Sequence, residues 1–237
     1  MQIKGCSAIV TGAGRGIGRA TALALAERGA NVVLVARTAS EIDATADGIA
    51  AKGGSSVSLA ADLRDPSTAR AAVKAAVDSF GGLQVLVNNA GVAHHTPFGE
   101  TTDADWEATL GTNLTAVFRL TREALPELQK QGGHVFMISS LAGVNPIAGL
   151  AAYCASKAAL DQLAACLMLE VRQTGVKVTT LAPGSVDTTF GGGARTDASW
   201  MLKPEDLALT IVHLLESRDE AHLSRIEMRP SRPPKRG

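Results

Sequence analysis

The chain has 237 residues, and its 23 lysines and arginines are balanced by 23 aspartates and glutamates. This length suits one α/β domain with a sizeable core, and the lack of net charge argues against nucleic acid and anionic membranes as partners. The cysteines are odd in number and lie in apolar stretches, and the N-terminus lacks the apolar core of a secretory signal. These features predict free thiols and a cytoplasmic protein.

Short β-rich runs alternate with longer helical patterns along the chain. Strands are predicted at residues 7–10, 31–36, 56–61, 84–88, 134–139, 176–182 and 223–228. Helices are predicted at residues 17–28, 40–51, 66–80, 103–131, 152–174 and 204–216. The strands are continuous apolar runs, which is typical of a parallel sheet with helices on both faces. The alternation predicts an α/β fold with a single Rossmann-type doubly wound parallel sheet of about seven strands.

Several predicted helices are followed by a glycine, at the position where a left-handed residue commonly ends a helix. These glycines are Gly29, Gly53, Gly81, Gly132 and Gly175. No repeat or linker divides the chain, so we expect a single domain over residues 1–229 that contains a substrate loop at 187–203. Residues 230–237 form a basic, proline-rich tail. We interpret the stretch from Arg229 onward as solvated, with a contact to a neighbouring subunit or to substrate as the alternative.

A glycine-rich segment follows the first predicted strand and leads directly into a helix. Its sequence is Thr11-Gly12-Ala13-Gly14-Arg15-Gly16-Ile17-Gly18. Backbone without Cβ atoms can approach a pyrophosphate closely, and the helix N-terminus offers free N–H groups and a positive dipole end. The position between a strand and a helix therefore predicts a dinucleotide-binding turn.

The type of dinucleotide is indicated by two arginines. The glycines follow the spacing GxxxGxG, and the second strand ends in Val35-Ala36-Arg37-Thr38 without the acid that would bind an adenosine ribose. Arg15 and Arg37 could converge beside the ribose 2′ position, where forked, charge-assisted bonds suit a phosphate. The alternative is that they are two unrelated surface arginines. We expect NADP(H) in preference to NAD(H).

Tyr153 is the only tyrosine in the chain, and it precedes Lys157 by four residues. If this stretch is helical, both side chains rise from one face and their polar ends can meet. A serine pair, Ser139 and Ser140, ends an apolar run just upstream.

Taken in order, these motifs resemble the short-chain dehydrogenase/reductase family over nearly the whole chain. The matching motifs are TGxxxGxG at 11–18, NNAG at 88–91, the asparagine of the long fourth helix at Asn113, YxxxK at 153–157 and the PG motif at 183–188. In many members the catalytic serine lies 13 residues before the tyrosine, which selects Ser140 over Ser139.

The resemblance implies a role for each catalytic residue. Tyr153 would be the general acid or base, Lys157 would bind the nicotinamide ribose, and Ser140 would hold the substrate oxygen. Asn113 would anchor a water that serves as a proton relay. A phenol with a pKa of about 10 is a weak base at neutral pH, and a cation about 4 Å away would lower that pKa by about three units. We therefore expect Lys157 to lower the pKa of Tyr153.

The resemblance also implies a set of cofactor contacts for NADP(H). They are Gly12, Arg15, Gly16, Ile17, Gly18, Arg37, Thr38, Asp62, Leu63, Asn89, Ala90, Gly91, Tyr153, Lys157, Pro183, Gly184, Val186 and Thr188. For Asn88 and Asn89 the alternative is that they mainly tie neighbouring strands together. No metal site is expected, because the adjacent His94 and His95 would point apart on an extended segment.

The substrate pocket should be walled by residues 93–98, 141–152 and 187–203, with Trp200 and Met201 as a lid that the glycines at 191–193 make mobile. These apolar walls favour a ketone, an aldehyde or a 3-oxoacyl compound. Gln131 and Thr174 stand where carrier-protein reductases usually have docking arginines, which disfavours a carrier-bound substrate. We expect a homodimer or homotetramer. The alternative function is a catalytically silent NADP(H)-binding sensor or scaffold.

Overall fold

The computed structural model describes residues 1–191, 197–218 and 220–233. Within these residues a seven-stranded sheet has the order β3-β2-β1-β4-β5-β6-β7, and every pairing is parallel. The strands are β1 (Ser7–Thr11), β2 (Asn31–Ala36), β3 (Ser55–Ala60), β4 (Val85–Asn88), β5 (His134–Ile138), β6 (Lys177–Pro183) and β7 (Arg225–Met228). The predicted fold class is confirmed.

Helices connect the strands and cover both faces of the sheet. They are α1 (Gly16–Glu27), α2 (Ala39–Ala50), α3 (Pro66–Phe80), α4 (Asp103–Leu110), α5 (Ala116–Gln129), α6 (Ala151–Val171) and α7 (Pro204–Glu216). The glycines that were predicted to end helices all have φ between 69° and 84°, as a left-handed cap requires. In the described part of the chain, no helix combines the length and the apolarity needed to cross a bilayer.

The sheet separates two apolar cores. Strand residues alternate between them: Val10 and Leu34 pack with α1, α2 and α7, whereas Ile9 and Val33 pack with α3, α5 and α6. Each central strand is therefore buried on both faces, which explains why its sequence is a continuous apolar run.

The long helix predicted at 103–131 is interrupted, so that prediction was wrong at one point. A π-helical turn at Gly111–Thr115 separates α4 from α5. Within this turn the Asn113 amide faces the backbone of Val92, whose N–H donates to Asn113 Oδ1 at 2.8 Å. Asn113 Nδ2 in turn donates to the Val92 carbonyl at 2.9 Å. π turns inside α-helices are frequently found at functional sites.

The strand order reverses between the neighbouring strands β1 and β4, and ligands of such sheets bind in the crevice at this point. Thr11, the last residue of β1, joins the two strand ends. Its Oγ1 accepts hydrogen bonds from the backbone N–H groups of Asn89 at 2.9 Å and Ala90 at 3.0 Å. The fold thus brings the glycine-rich turn and the 88–91 segment to the same edge of the sheet.

Candidate active site

A large cavity of about 900 Å³ opens at the carboxyl edge of the sheet. Its lining includes every residue that was predicted to contact the cofactor except Gly18, and it also includes Ser140. Residues that are spread from position 12 to position 188 in sequence therefore surround one space.

The glycine-rich turn forms the floor of this cavity. A Cβ atom on Gly18 would lie 2.2 Å from the carbonyl oxygen of Gly12, so Gly18 allows α1 to pack against the turn instead of lining the cavity. Gly16 begins α1 with φ +54°, and Arg15 before it provides no side-chain cap. The uncapped N–H groups at this helix start fit an anionic pyrophosphate, so the residues present fit a dinucleotide.

The part of the cavity that is predicted to hold the adenosine, here called the adenosine end, is lined by charged side chains. Arg15 and Arg37 both line the cavity, and their role towards a 2′-phosphate stays a prediction. The Arg15 Nη1 atom lies 3.8 Å from Oε1 of Glu41, a cavity residue that sequence reasoning missed because its position depends on how α2 packs. Hydrogen bonds from Arg64 hold the pKa of the Asp62 carboxyl below its ordinary value, with Arg64 Nη2 at 2.6 Å from Asp62 Oδ2.

The part of the cavity that is predicted to be catalytic contains Tyr153 and Lys157, which rise from α6. Lys157 Nζ donates to the Ile138 carbonyl at 2.7 Å and lies 5.8 Å from the centre of the Tyr153 ring. Burial lowers the pKa of Lys157 to about 8. Burial also raises the pKa of Tyr153 above its ordinary value, and a hydrogen bond with Ser140 opposes this. The prediction that Lys157 lowers the pKa of Tyr153 was therefore wrong. The Lys157 ammonium group donates to the Ile138 carbonyl, and the cost of burying a charged phenolate outweighs any attraction by this ammonium.

The two serines after β5 have different surroundings. Ser140 Oγ accepts a hydrogen bond from the Ala142 N–H at 3.1 Å, and the Ser140 side chain also bonds to Tyr153. Ser139 is buried, and its hydroxyl lies 3.4 Å from the carbonyl oxygen of Lys157. Both serines line the cavity, and Ser140 is the one whose side chain bonds to Tyr153, which favours Ser140 as the serine that binds a substrate.

Asn113 is fully buried and lies behind the cavity wall. Besides its bonds to Val92, its Nδ2 donates to Ser156 Oγ at 3.0 Å, and Ser156 Oγ donates to the Tyr153 carbonyl at 2.7 Å. The amide therefore ties the π turn to the helical turn that carries Tyr153. Sequence reasoning missed Ser156, which lies inside the YxxxK motif. The water relay predicted for Asn113 stays a prediction.

A profile of the short chain dehydrogenase family matches residues 7–199. The chain belongs to this family. Among curated relatives, 2,5-dichloro-2,5-cyclohexadiene-1,4-diol dehydrogenase of Sphingobium indicum is 38% identical over 83% of this chain and 79% of its own length. The 3-oxoacyl-(acyl-carrier-protein) reductase of Vibrio cholerae is 37% identical over 79% of this chain and 76% of its own length.

Solved structures of short-chain dehydrogenases have the same fold. A metagenomic short-chain oxidoreductase in complex with NADP is 35% identical with a TM-score of 0.87, covering 98% of this chain and 100% of that chain. A short chain dehydrogenase from Mycobacterium paratuberculosis bound to NAD is 26% identical with a TM-score of 0.87, covering 96% of this chain and 97% of that chain. Membership therefore makes the chain an oxidoreductase with a nicotinamide-binding fold and leaves open which nicotinamide cofactor it prefers.

The paired asparagines of this short-chain dehydrogenase make structural contacts with neighbouring elements. Asn88 is buried, and its Nδ2 donates to Thr121 Oγ1 of α5 at 3.0 Å and lies 3.4 Å from Met137 Sδ of the neighbouring strand β5. Asn89 Nδ2 donates to the Thr11 carbonyl at 2.8 Å, yet Asn89 also lines the cavity. Asn88 therefore has a structural role, whereas Asn89 both bonds to a neighbouring strand and lines the cavity.

Phe190 of the predicted substrate loop lies close to Tyr153. The centres of the Phe190 and Tyr153 rings are 5.7 Å apart. The predicted lid residues Trp200 and Met201 do not belong to the cavity lining. Residues 192–196, which include two of the glycines expected to make the lid mobile, lie outside the described residues.

The two adjacent histidines have separate environments. His94 Nδ1 lies 3.9 Å from an oxygen of Asp105, and His95 lines the cavity. A Cβ on Gly149 would lie 2.6 Å from the His95 ring, so the absence of a side chain at Gly149 allows the imidazole to pack there.

Arg229 is both exposed and part of the cavity. Its side chain is 57% exposed, as expected for the start of a solvated stretch, and it also lines the cavity, as the alternative of a substrate contact requires. The N–H of Gly184 donates to the Met228 carbonyl at 2.8 Å, which fixes the end of β7 against the segment that follows β6. Residues 234–237 lie outside the described residues.

Proposed function

We propose that this protein is an NADPH-dependent oxidoreductase that reduces a carbonyl group of a ketone, an aldehyde or a 3-oxoacyl compound to an alcohol. The observation that carries the proposal is that Tyr153, Ser140 and Lys157 line the same cavity as the glycine-rich turn. When bound, the nicotinamide supplies the hydride.

The environment of Tyr153 suits an acid more than a base. Its raised pKa keeps the phenol protonated at neutral pH, so that it can donate a proton to a carbonyl oxygen that gains negative charge. The Ser140 Oγ accepts from a backbone N–H and bonds to Tyr153, and we propose that its own proton turns to the same carbonyl oxygen when a substrate is bound. Lys157, with a pKa of about 8, is mostly cationic at neutral pH and would hold the ribose hydroxyls of the cofactor.

The preference for NADP(H) is supported by Arg15 and Arg37, which line the adenosine end of the cavity. The NADP complex of a relative that is 35% identical also supports it, whereas an NAD complex at 26% identity represents the competing possibility. The test is kcat/KM with NADPH and with NADH at subsaturating cofactor. Comparable values for the two cofactors would overturn the preference.

We further propose that the protein is cytoplasmic and forms a homodimer or homotetramer. Each subunit is one domain that contains a substrate loop at 187–203. The oligomer is supported by large apolar side chains that remain exposed on two helices of the same face of the sheet: Phe118 of α5 is 45% exposed and Leu169 of α6 is 62% exposed. Light scattering of the purified protein should give the mass of two or four chains, and the mass of a single chain would contradict it.

The reaction is tested with a panel of ketones, aldehydes and 3-oxoacyl thioesters, followed by the loss of NADPH absorbance. Tyr153→Phe should abolish turnover and leave NADPH binding nearly unchanged. Ser140→Ala and Ser139→Ala form a matched pair, of which only the first should lower kcat strongly. A panel without any oxidation of NADPH would favour the sensor or scaffold, and a Tyr153→Phe variant that keeps most activity would refute the proton transfer.

A further inference from the structure

Charged side chains of alternating sign run along one face of β7 towards the cavity. Arg225 Nη1 lies 2.8 Å from Asp161 Oδ2 on α6, and its Nη2 lies 3.7 Å from Glu227 Oε1. Arg229 Nη2 lies 2.7 Å from the other oxygen of Glu227. The residues between them, Ile226 and Met228, pack into the core on the opposite face of the sheet. We call the set Asp161, Arg225, Glu227 and Arg229 the β7 ladder.

The β7 ladder ends beside the catalytic residues. Helix α6 joins the parallel strands β5 and β6, so it runs antiparallel to them and to β7. From Arg225 to Arg229 the strand rises roughly 13 Å. The same distance along α6 is roughly nine residues, counted back from Asp161. Arg229 is therefore level with the first turn of α6, where Tyr153 lies.

Close packing at Gly184 supports this placement. A Cβ on Gly184 would lie 3.2 Å from Cδ of Pro230 and 3.3 Å from Cδ1 of Leu141. Leu141 directly follows Ser140, and Pro230 directly follows Arg229. The segment that carries Arg229 and the segment that carries Ser140 thus both pack against Gly184.

The charge at this end of the cavity favours an anion. Among the described lining residues, the carboxylates Glu41 and Asp62 belong to the adenosine end. Lys157 is buried and donates to a backbone carbonyl, which leaves Arg229 as the exposed cation beside the substrate walls. A guanidinium has five N–H donors, and Glu227 engages one of the Arg229 nitrogens. Further donors of Arg229 can bind a second carboxylate.

We propose that Arg229 binds a carboxylate on the substrate, so that the compound reduced is an oxo acid. This inference depends on the proposed carbonyl reduction and specifies its substrate class. The carbonyl oxygen of the oxo acid faces Tyr153 and Ser140, and its carboxylate displaces or shares the contact that Glu227 makes with Arg229. Glu227 is then a competitor that lowers the affinity for the acid.

The test measures NADPH-dependent reduction of 2-, 3- and 4-oxopentanoate and of their methyl esters, which scan the spacing between carbonyl and carboxylate. For at least one spacing the acid should have a kcat/KM about tenfold above that of its ester. Arg229→Gln should raise KM for that acid about tenfold and change the ester less than about twofold. Glu227→Gln should lower KM for the acid.

Arg218→Gln and Glu220→Gln are the controls, because they alter a comparable exposed pair outside the cavity lining. Neither variant should change KM for the acid or for the ester.

The inference is overturned if every ester equals its acid, if Arg229→Gln weakens acid and ester alike, or if Glu227→Gln raises KM for the acid. If another ketone is reduced but none of these six compounds is, pentanoate must inhibit that reduction in the wild type and lose its effect in Arg229→Gln. Absence of inhibition would also overturn the inference. Failure of the proposed function differs from all of these outcomes, because then no carbonyl compound of any charge is reduced.

Discussion

The Arg15 guanidinium lies 3.8 Å from the Glu41 carboxylate inside the cavity that is proposed to hold NADP(H). Gly14 permits this approach, since a Cβ there would lie 2.9 Å from Glu41 Oε2. One of the two arginines proposed for the 2′-phosphate therefore already faces an anion. A phosphate bound there has to share Arg15 with Glu41 and is repelled by the carboxylate.

Glu41→Gln should lower KM for NADPH about two- to fivefold, as expected for loss of one partly exposed like charge. KM for NADH should change less, because NADH has no 2′-phosphate. Steady-state kinetics with both cofactors measure this, and Glu27→Gln, which alters a surface pair with Lys52, is the control. Equal changes for both cofactors would show that Glu41 does not act on the 2′-phosphate.

The activity should fall on the alkaline side because Lys157 has a pKa of about 8. At neutral pH the ammonium is present, and it is lost as the pH rises through 8, while Tyr153 with its raised pKa remains protonated. We expect kcat/KM for carbonyl reduction to be level near pH 7 and to decline above about pH 8. In Lys157→Arg the remaining activity should lose this decline, because guanidinium stays charged. An identical profile in that variant assigns the decline to another group.

Gly18→Ala should destabilise the protein, although alanine is the better helix former by about 1 kcal/mol. The added Cβ would lie 2.2 Å from the Gly12 carbonyl oxygen, so α1 must move away from the turn. We expect a loss of about 1–3 kcal/mol in the free energy of unfolding, together with weaker NADPH binding. Denaturant unfolding and a binding titration measure these effects. Gly99→Ala is the matched control, since a Cβ there meets nothing within 4 Å.

Acid should destabilise the protein through His134. This histidine is buried, its Nε2 lies 2.9 Å from Thr179 Oγ1, and burial lowers its pKa to about 3, with smaller contributions from His222 and Lys177. In the unfolded chain this imidazole is therefore protonated near pH 6.5, whereas in the folded chain it is protonated only near pH 3. Stability is fully present above pH 6.5 and falls by about 1.4 kcal/mol per pH unit below it.

The variant His134→Gln isolates this effect, because an amide can keep a hydrogen bond to Thr179 and does not titrate. Its free energy of unfolding, measured from pH 7 to pH 4, should fall less steeply than that of the wild type. Parallel slopes would show that carboxylates alone cause the acid sensitivity.

The sequence by itself determined the order of strands and helices, the glycine-rich turn and the Tyr153–Lys157 spacing. These features depend on local patterns: continuous apolar runs for buried strands, glycines where φ is positive, and a helical repeat that places residues four apart on one face.

Only the tertiary structure decided the features that depend on segments distant in sequence. Glu41 reaches Arg15 because α2 packs beside the turn, Ser156 meets Asn113 across a π turn, and Arg229 enters the cavity because β7 pairs with β6. The pKa of Tyr153 was misjudged for the same reason. A sequence shows which charges are near along the chain, but the balance between desolvation and attraction depends on what buries the phenol and where the ammonium points.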